Sequence, residues 1–204
     1  MLIILSIIIL IFSVIFHEVS HGYMADLLGD PTARLQGRLT LNPLKHIDPI
    51  GSIIVPFITY ITAGFAFGWA KPVVYNPYNL KNKRQGEFLI AVAGPASNLG
   101  IAIIFSLIIR LVASGSTTMT PFLEIATYIV LINIVLAVFN LIPLPPLDGS
   151  KLLLAFLPNQ YGKLRSSLER FGPIFVLLAV FFLWQIVAPI VPWVFQLFTG
   201  IHLH

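Results

Sequence analysis

Apolar stretches long enough to cross hydrocarbon recur along the chain, at 1–21, 88–113, 121–144 and 173–198. A helix rises about 1.5 Å per residue and needs roughly 20 residues to cross a membrane, so each stretch predicts a transmembrane helix. A fifth apolar stretch, 50–69, would just reach across but holds Pro56, Gly64 and Gly68. Arg34, Arg38 and Lys45 precede it and Lys71, Lys81, Lys83 and Arg84 follow it, so a single crossing would leave one basic cluster on the wrong side. A re-entrant or broken segment is therefore expected, and such backbone is tolerated at membrane depth only where it is buried in protein or lines a wet cavity. Residues 34–42 alternate partially, which fits a short β-hairpin or an interfacial loop equally well. The expected fold class is an all-α polytopic membrane protein with about four full transmembrane helices, forming one membrane-embedded domain over 1–204.

Composition narrows the class further. Of 204 residues, 57% are hydrophobic and only 10% charged, which excludes a soluble globular fold. The apolar start has no basic n-region and no small-residue cleavage site, so it reads as a retained helix and not a removable signal peptide. A third basic cluster, Lys151, Lys163, Arg165 and Arg170, joins the two above. All three are expected on the cytoplasmic side with the N-terminus outside, Arg110 being a mild exception. The net charge of +4 thus sets orientation and does not point to nucleic acid. The segment 150–170 reads as a helix lying on the cytoplasmic face, Trp69, Tyr75 and Tyr78 as interfacial anchors, and His202 and His204 as tail. With no cysteine, any metal site must use histidine and carboxylate ligands.

The candidate chemistry begins at His17-Glu18-Val19-Ser20-His21, at the end of the first apolar run. Histidines at i and i+4 share one helix face and can grip one metal ion, while Glu18 can take a proton from a metal-bound water. These residues could instead mark only where the helix emerges, but ionisable groups inside membrane segments are costly and default to function. A third ligand is needed. Asp48, in Lys45-His46-Ile47-Asp48-Pro49, is a fair rival; Asp148, after Pro143, Pro145 and Pro146 and before Gly149, is the better candidate. The first helix and the one ending near residue 144 both run from outside to inside, so His17, His21 and Asp148 can converge.

HEVSH in a membrane helix, Gly94-Pro95-Ala96-Ser97-Asn98 early in a later one, and NLIPLPPLDG at 140–149 together resemble the site-2 protease family of intramembrane zinc metalloproteases. GRLTLNPLKHIDPIGS and FGWAKPVVYNPYNL resemble its small prokaryotic branch, without the PDZ or nucleotide-sensing domain of larger members. The resemblance implies one zinc ion per chain held by His17, His21 and Asp148, with Glu18 as base. It implies that Asn140 helps hold the substrate or its oxyanion and that Asn98 lines the same region. It further implies a prokaryotic cell membrane and membrane-anchored regulators or leftover membrane peptides as substrates, while the basic clusters put the active site toward the cytoplasm. A zinc or proton transporter, or a metal-dependent scaffold, is the competing class, since intramembrane His and Asp occur there too. Glu18 discriminates: hydrolysis needs a carboxylate that does not ligate, and transport does not.

Overall fold

A computed structural model describes residues 2–55, 57–58, 61, 70–113, 120–156 and 184–201. Its longer elements are α1 (Leu2–Leu27), a four-residue α2 (Thr32–Leu35), α3 (Lys83–Ala113), α4 (Pro121–Asn140), α5 (Asp148–Phe156) and α6 (Trp184–Thr199). Among the described residues there is no strand. Three helices, α1, α3 and α4, are long and apolar enough to cross a membrane, so the chain is a multi-pass membrane protein. The span expected at 173–198 is described only from Trp184 onward as α6, and most of the stretch 50–69 and of 150–170 lies outside the described residues.

In a bilayer a helix turns its apolar face outward and its polar face toward its neighbours. On α1, Ile4, Ile7, Ile8, Ile11, Phe12 and Phe16 are exposed, whereas Ser13, His17 and His21, four residues apart, are buried in one stripe. That stripe faces α3, the central helix, which also packs on α4, α5 and α6. The apolar core lies away from the stripe, where Ala102 and Ile109 of α3 meet Ala126, Val130 and Ile134 of α4 and Val187, Val191 and Phe195 of α6. Small residues at this seam let helices approach closely, which lipid does not drive by itself. Arg110, the exception in the charge pattern, donates from Nε to the Phe198 carbonyl and from Nη2 to the Leu197 carbonyl, both at 2.6 Å. It thereby satisfies carbonyls that the last turn of α6 leaves without partners.

The β-hairpin considered for 34–42 does not form; the loop alternative does, preceded by α2. The Arg38 N–H donates to the Ala33 carbonyl and the Gly37 N–H to the Arg34 carbonyl, both at 2.9 Å, and Gly37 has φ +63°. This is a Schellman closure, in which a left-handed glycine ends a helix, and it overrides the weak alternation. The stretch 50–69 starts with a π-type turn, Ile50–Ile54, whose entry is capped by Asp48: Oδ1 accepts from the Ile50 and Gly51 N–H groups, each at 2.9 Å.

The chain returns to α1 through 70–82, held there by two carboxylates. Glu18 Oε2 accepts from the Val73 N–H at 2.9 Å, and fully buried Asp30 accepts from the Asn76 N–H at 2.6 Å, Asn79 Nδ2 at 2.7 Å and the Thr32 backbone and hydroxyl. Burial alone pushes the Asp30 carboxyl up, but hydrogen bonds from Thr32, Asn79 and the Asn76 backbone outweigh it and hold the group below its ordinary value. Because the folded value is the lower one, its stabilisation is present above the unfolded value, about 3.9, and is lost as pH falls through the folded one. Asp30→Ala is expected to lower the melting temperature of the detergent-purified protein at neutral pH by about 4–8 °C, for a loss of about 2 kcal/mol. The gap from wild type should close as the pH is taken below about 4; an equal melting temperature at neutral pH would show that Asp30 does not hold this segment.

Candidate metal centre

His17 and His21 lie ten residues and six residues before the end of α1, so His17 sits about 15 Å inside that helix. Asp148 reaches them from the first turn of α5, after α4 ends at Asn140 and the chain turns through Pro143, Pro145 and Pro146. A Cβ on Gly149 would lie 2.3 Å from the Leu141 carbonyl oxygen, so only glycine lets α5 start this close to the turn and carry Asp148 inward. His17 Nε2 is 2.9 Å and His21 Nε2 is 3.1 Å from Asp148 Oδ2, and the two Nε2 atoms are 3.1 Å apart. All three side chains are buried, and theirs is the group of histidines and carboxylates among the described residues able to hold a metal. Asp48, the rival third ligand, is spent on its cap.

The far side of each ring decides what the near side offers. His21 Nδ1 is 2.6 Å from the Ile90 carbonyl oxygen, which can only accept, so Nδ1 carries the proton. His17 Nδ1 is 2.7 Å from Asn98 Oδ1 and likewise donates. Neutral rings bound in this way leave both Nε2 atoms as bare lone pairs facing a carboxylate oxygen, three acceptors within 3.1 Å of one another. That arrangement calls for a cation. Zinc takes N and O ligands at about 2.0–2.2 Å in tetrahedral geometry, which places ligand atoms about 3.3–3.6 Å apart, a few tenths of an ångström wider than the three acceptors here. Two imidazoles and one carboxylate are the ligand set of catalytic zinc, with the fourth position open.

A cavity of roughly 130 Å³ opens on this cluster, lined by Glu18, Asn140, Val73, Tyr75 and Lys151 besides the three candidate ligands. Glu18 thus faces the cavity next to the cluster without joining it. Asn140 lines it from the end of α4, its Nδ2 donating to the Leu136 carbonyl at 2.9 Å. Asn98 is placed differently from the sequence expectation: it is fully buried behind His17, with Nδ2 donating to Asn133 Oδ1 at 2.8 Å and to the Ser13 carbonyl at 3.3 Å. Its carboxamide is occupied at both ends, by His17 Nδ1 on one side and by Asn133 and the Ser13 carbonyl on the other. Tyr75, expected as an interfacial anchor, is half-buried against the cavity.

Sequence reasoning passes over Gly94, Asn133 and Lys151 as parts of this centre. A Cβ on Gly94 would lie 2.4 Å from His21 Nε2, so the absence of a side chain makes room for the rings. Asn133 is an amide in the middle of an apolar span, which is itself a signal. Lys151 Nζ lies 3.4 Å from Asp148 Oδ1, the oxygen that does not face the histidines. Burial lowers the Lys151 ammonium while Asp148, Tyr75 and Glu18 raise it, with a net rise, so the cavity wall is cationic there.

Residues 106–186 match Peptidase family M50. Over 178 residues the chain is 39% identical to "Putative zinc metalloprotease YwhC" of Bacillus subtilis, spanning 85% of this chain and 77% of that protein. It is 31% identical over 137 residues to "Putative zinc metalloprotease Rip2" of Mycolicibacterium smegmatis, 67% of this chain and 51% of that one. It is 29% identical over 160 residues to "Zinc metalloprotease MJ0392" of Methanocaldococcus jannaschii, 78% of this chain and 36% of that one. No solved structure matches the chain.

Proposed function

The chain belongs to peptidase family M50, the site-2 protease family of zinc metalloproteases, and from that premise we propose that it hydrolyses peptide bonds within or beside the transmembrane segments of membrane-anchored proteins or peptides. The observation that carries this reading is the meeting of two bare imidazole nitrogens and a carboxylate oxygen deep in a membrane-spanning helix, with a carboxylate that does not ligate, Glu18, on the same cavity. His17, His21 and Asp148 would hold one zinc ion per chain, which would supply Lewis acidity toward a carbonyl and toward water.

Glu18 takes the proton of the attacking water and returns it to the leaving amine nitrogen. Asn140 is the cavity amide available to the developing oxyanion. Asn98 keeps His17 oriented throughout. A substrate helix hides its peptide bonds in its own hydrogen bonds, so it must unwind before it reaches this cavity. The basic residues of the loops favour a cytoplasmic active site and an external N-terminus.

Zinc content of the detergent-purified protein, paired with cleavage of a panel of single-span membrane peptides, tests this reading. About one zinc per chain is expected, with cleavage inside or next to the apolar stretch that a chelator abolishes and added zinc restores. Zinc binding without cleavage of any peptide would favour a transporter or scaffold, and absence of zinc would remove the centre.

A further inference from the structure

The bond between His17 and Asn98 is the near end of a longer chain of buried polar groups that crosses three helices. Asn98 Nδ2 donates to Asn133 Oδ1 at 2.8 Å and to the Ser13 carbonyl at 3.3 Å. Asn133 Nδ2 in turn donates to the Ile129 carbonyl and to Ser13 Oγ, both at 2.9 Å. Asn98 and Asn133 are fully buried and Ser13 nearly so.

The directions in this chain are set from its far end, with the Ser13 carbonyl as a second and longer acceptor for Asn98 Nδ2. A backbone carbonyl can only accept, so the Ile129 oxygen requires the NH₂ of Asn133 on its side and turns Asn133 Oδ1 toward Asn98. Facing that oxygen and the Ser13 carbonyl, Asn98 must present its own NH₂ to them and its Oδ1 to His17. An amide oxygen cannot donate, so His17 Nδ1 must carry a proton, and in the neutral ring that a metal requires Nε2 is then bare. If Asn98 were flipped, its oxygen would meet two other acceptors in a low-dielectric site. Its NH₂ would drive the ring proton onto Nε2, where it would block a metal.

We propose that Asn133 is a positioning residue of the zinc site, fixing through Asn98 the Nδ1–H tautomer of His17 and so presenting Nε2 to the metal. Asn133 touches neither the metal ligands nor the cavity, and it acts through two hydrogen bonds. Interhelical adhesion alone would need only some bond between α3 and α4; tautomer control needs an acceptor at this place. Partners one step behind a metal ligand commonly change metal affinity by 10–100-fold when removed. The inference rests on the metal-site reading above and adds to it a residue that no part of the HEVSH or LDG motifs contains.

The test uses the full chain in detergent, labelled with ¹⁵N-histidine, with His17 assigned from the signals missing in His17→Asn. Long-range ¹H–¹⁵N correlation of the zinc-free protein reads the tautomer, and competition with a chelating indicator reads zinc affinity. Wild type should show His17 protonated on Nδ1. Asn133→Leu should shift neutral His17 toward the Nε2–H form and weaken zinc by up to about 10-fold, the low end for a partner one step nearer the metal, without changing the tautomer of His21, which is held by the Ile90 carbonyl. Asn133→Asp keeps an acceptor facing Asn98 and, as the neutral acid, a donor for Ile129, and should retain the wild-type tautomer and most of the affinity.

Wild-type tautomer and affinity in Asn133→Leu would reduce Asn133 to adhesion and overturn the proposal. Where Asn133→Leu does not fold, the wild-type spectrum decides, since a neutral His17 ring protonated on Nε2 with Nδ1 bare is incompatible with the chain of bonds. If wild type binds no zinc at all, the metal-site reading itself fails, an outcome distinct from a zinc-binding wild type whose variant is unchanged.

Discussion

Replacing Glu18 by glutamine is expected to leave zinc bound and to lower peptide hydrolysis by about 10²–10⁴-fold. The separation follows from where Glu18 stands. It is absent from the group of His17, His21 and Asp148 and lines the cavity beside them, with Oε2 accepting from the Val73 N–H at 2.9 Å. Glutamine keeps the length of the side chain and an oxygen for that N–H, so the fold around 70–76 is preserved. What it cannot do is accept a proton at neutral pH, and the rate difference therefore isolates that step. The loss should appear in kcat with KM little changed, as for an interaction made only during reaction. Cleavage within a few-fold of wild type would place the base elsewhere, and loss of zinc would make Glu18 a ligand. Glu18→Ala is less informative, because it also releases the Val73 backbone.

The part of the centre legible in the sequence is the part governed by short-range geometry. Histidines at i and i+4 must share a face of any helix, and two helices running in the same direction must end on the same side, so His17, His21 and Asp148 can converge, although Asp48 stays a rival until the family resemblance is added. Helix ends are less legible. The first apolar run predicts a helix that stops at residue 21, yet α1 continues to Leu27, because Ala25 and Met24 still find apolar partners in Leu80 and Ile90. The helix α4 ends at Asn140, ahead of the prolines expected to break it. At 34–42 the decisive signal is Gly37 as a helix stop, and weak alternation conceals it.

Asn98 and Asn140 illustrate the limit in the site itself. Both are amides near the histidines, and only packing decides that one lies behind a ring and the other on the cavity wall. Hydropathy reports depth in the membrane and says nothing of which side of a buried imidazole a neighbour occupies. Ser13, His17 and His21 do form a stripe at spacing four, and that pattern is a sign in the sequence that α1 turns a polar seam inward.

Gly94→Ala is expected to reduce zinc affinity by more than about 100-fold while leaving the helices intact, against the sense of helix propensity. Alanine in a helix interior is favoured over glycine by about 1 kcal/mol, so on local grounds the substitution should stabilise α3. Space decides otherwise. The added Cβ would lie 2.4 Å from His21 Nε2 and 2.6 Å from His17 Nε2, well inside van der Waals contact and on the ligand atoms themselves. Neither ring can back away without breaking its other bond, to the Ile90 carbonyl or to Asn98 Oδ1. The rings must therefore rotate, and the three acceptors that call for a cation no longer converge. Gly100→Ala on the same helix, where a Cβ meets nothing within 4 Å, is the matched control and should keep wild-type affinity. Zinc titration with circular dichroism on both variants checks the pair. Unchanged zinc binding in Gly94→Ala would mean that the imidazoles do not rest on this glycine and that the centre is built differently; loss of helical signal would mean that the substitution acts on the fold.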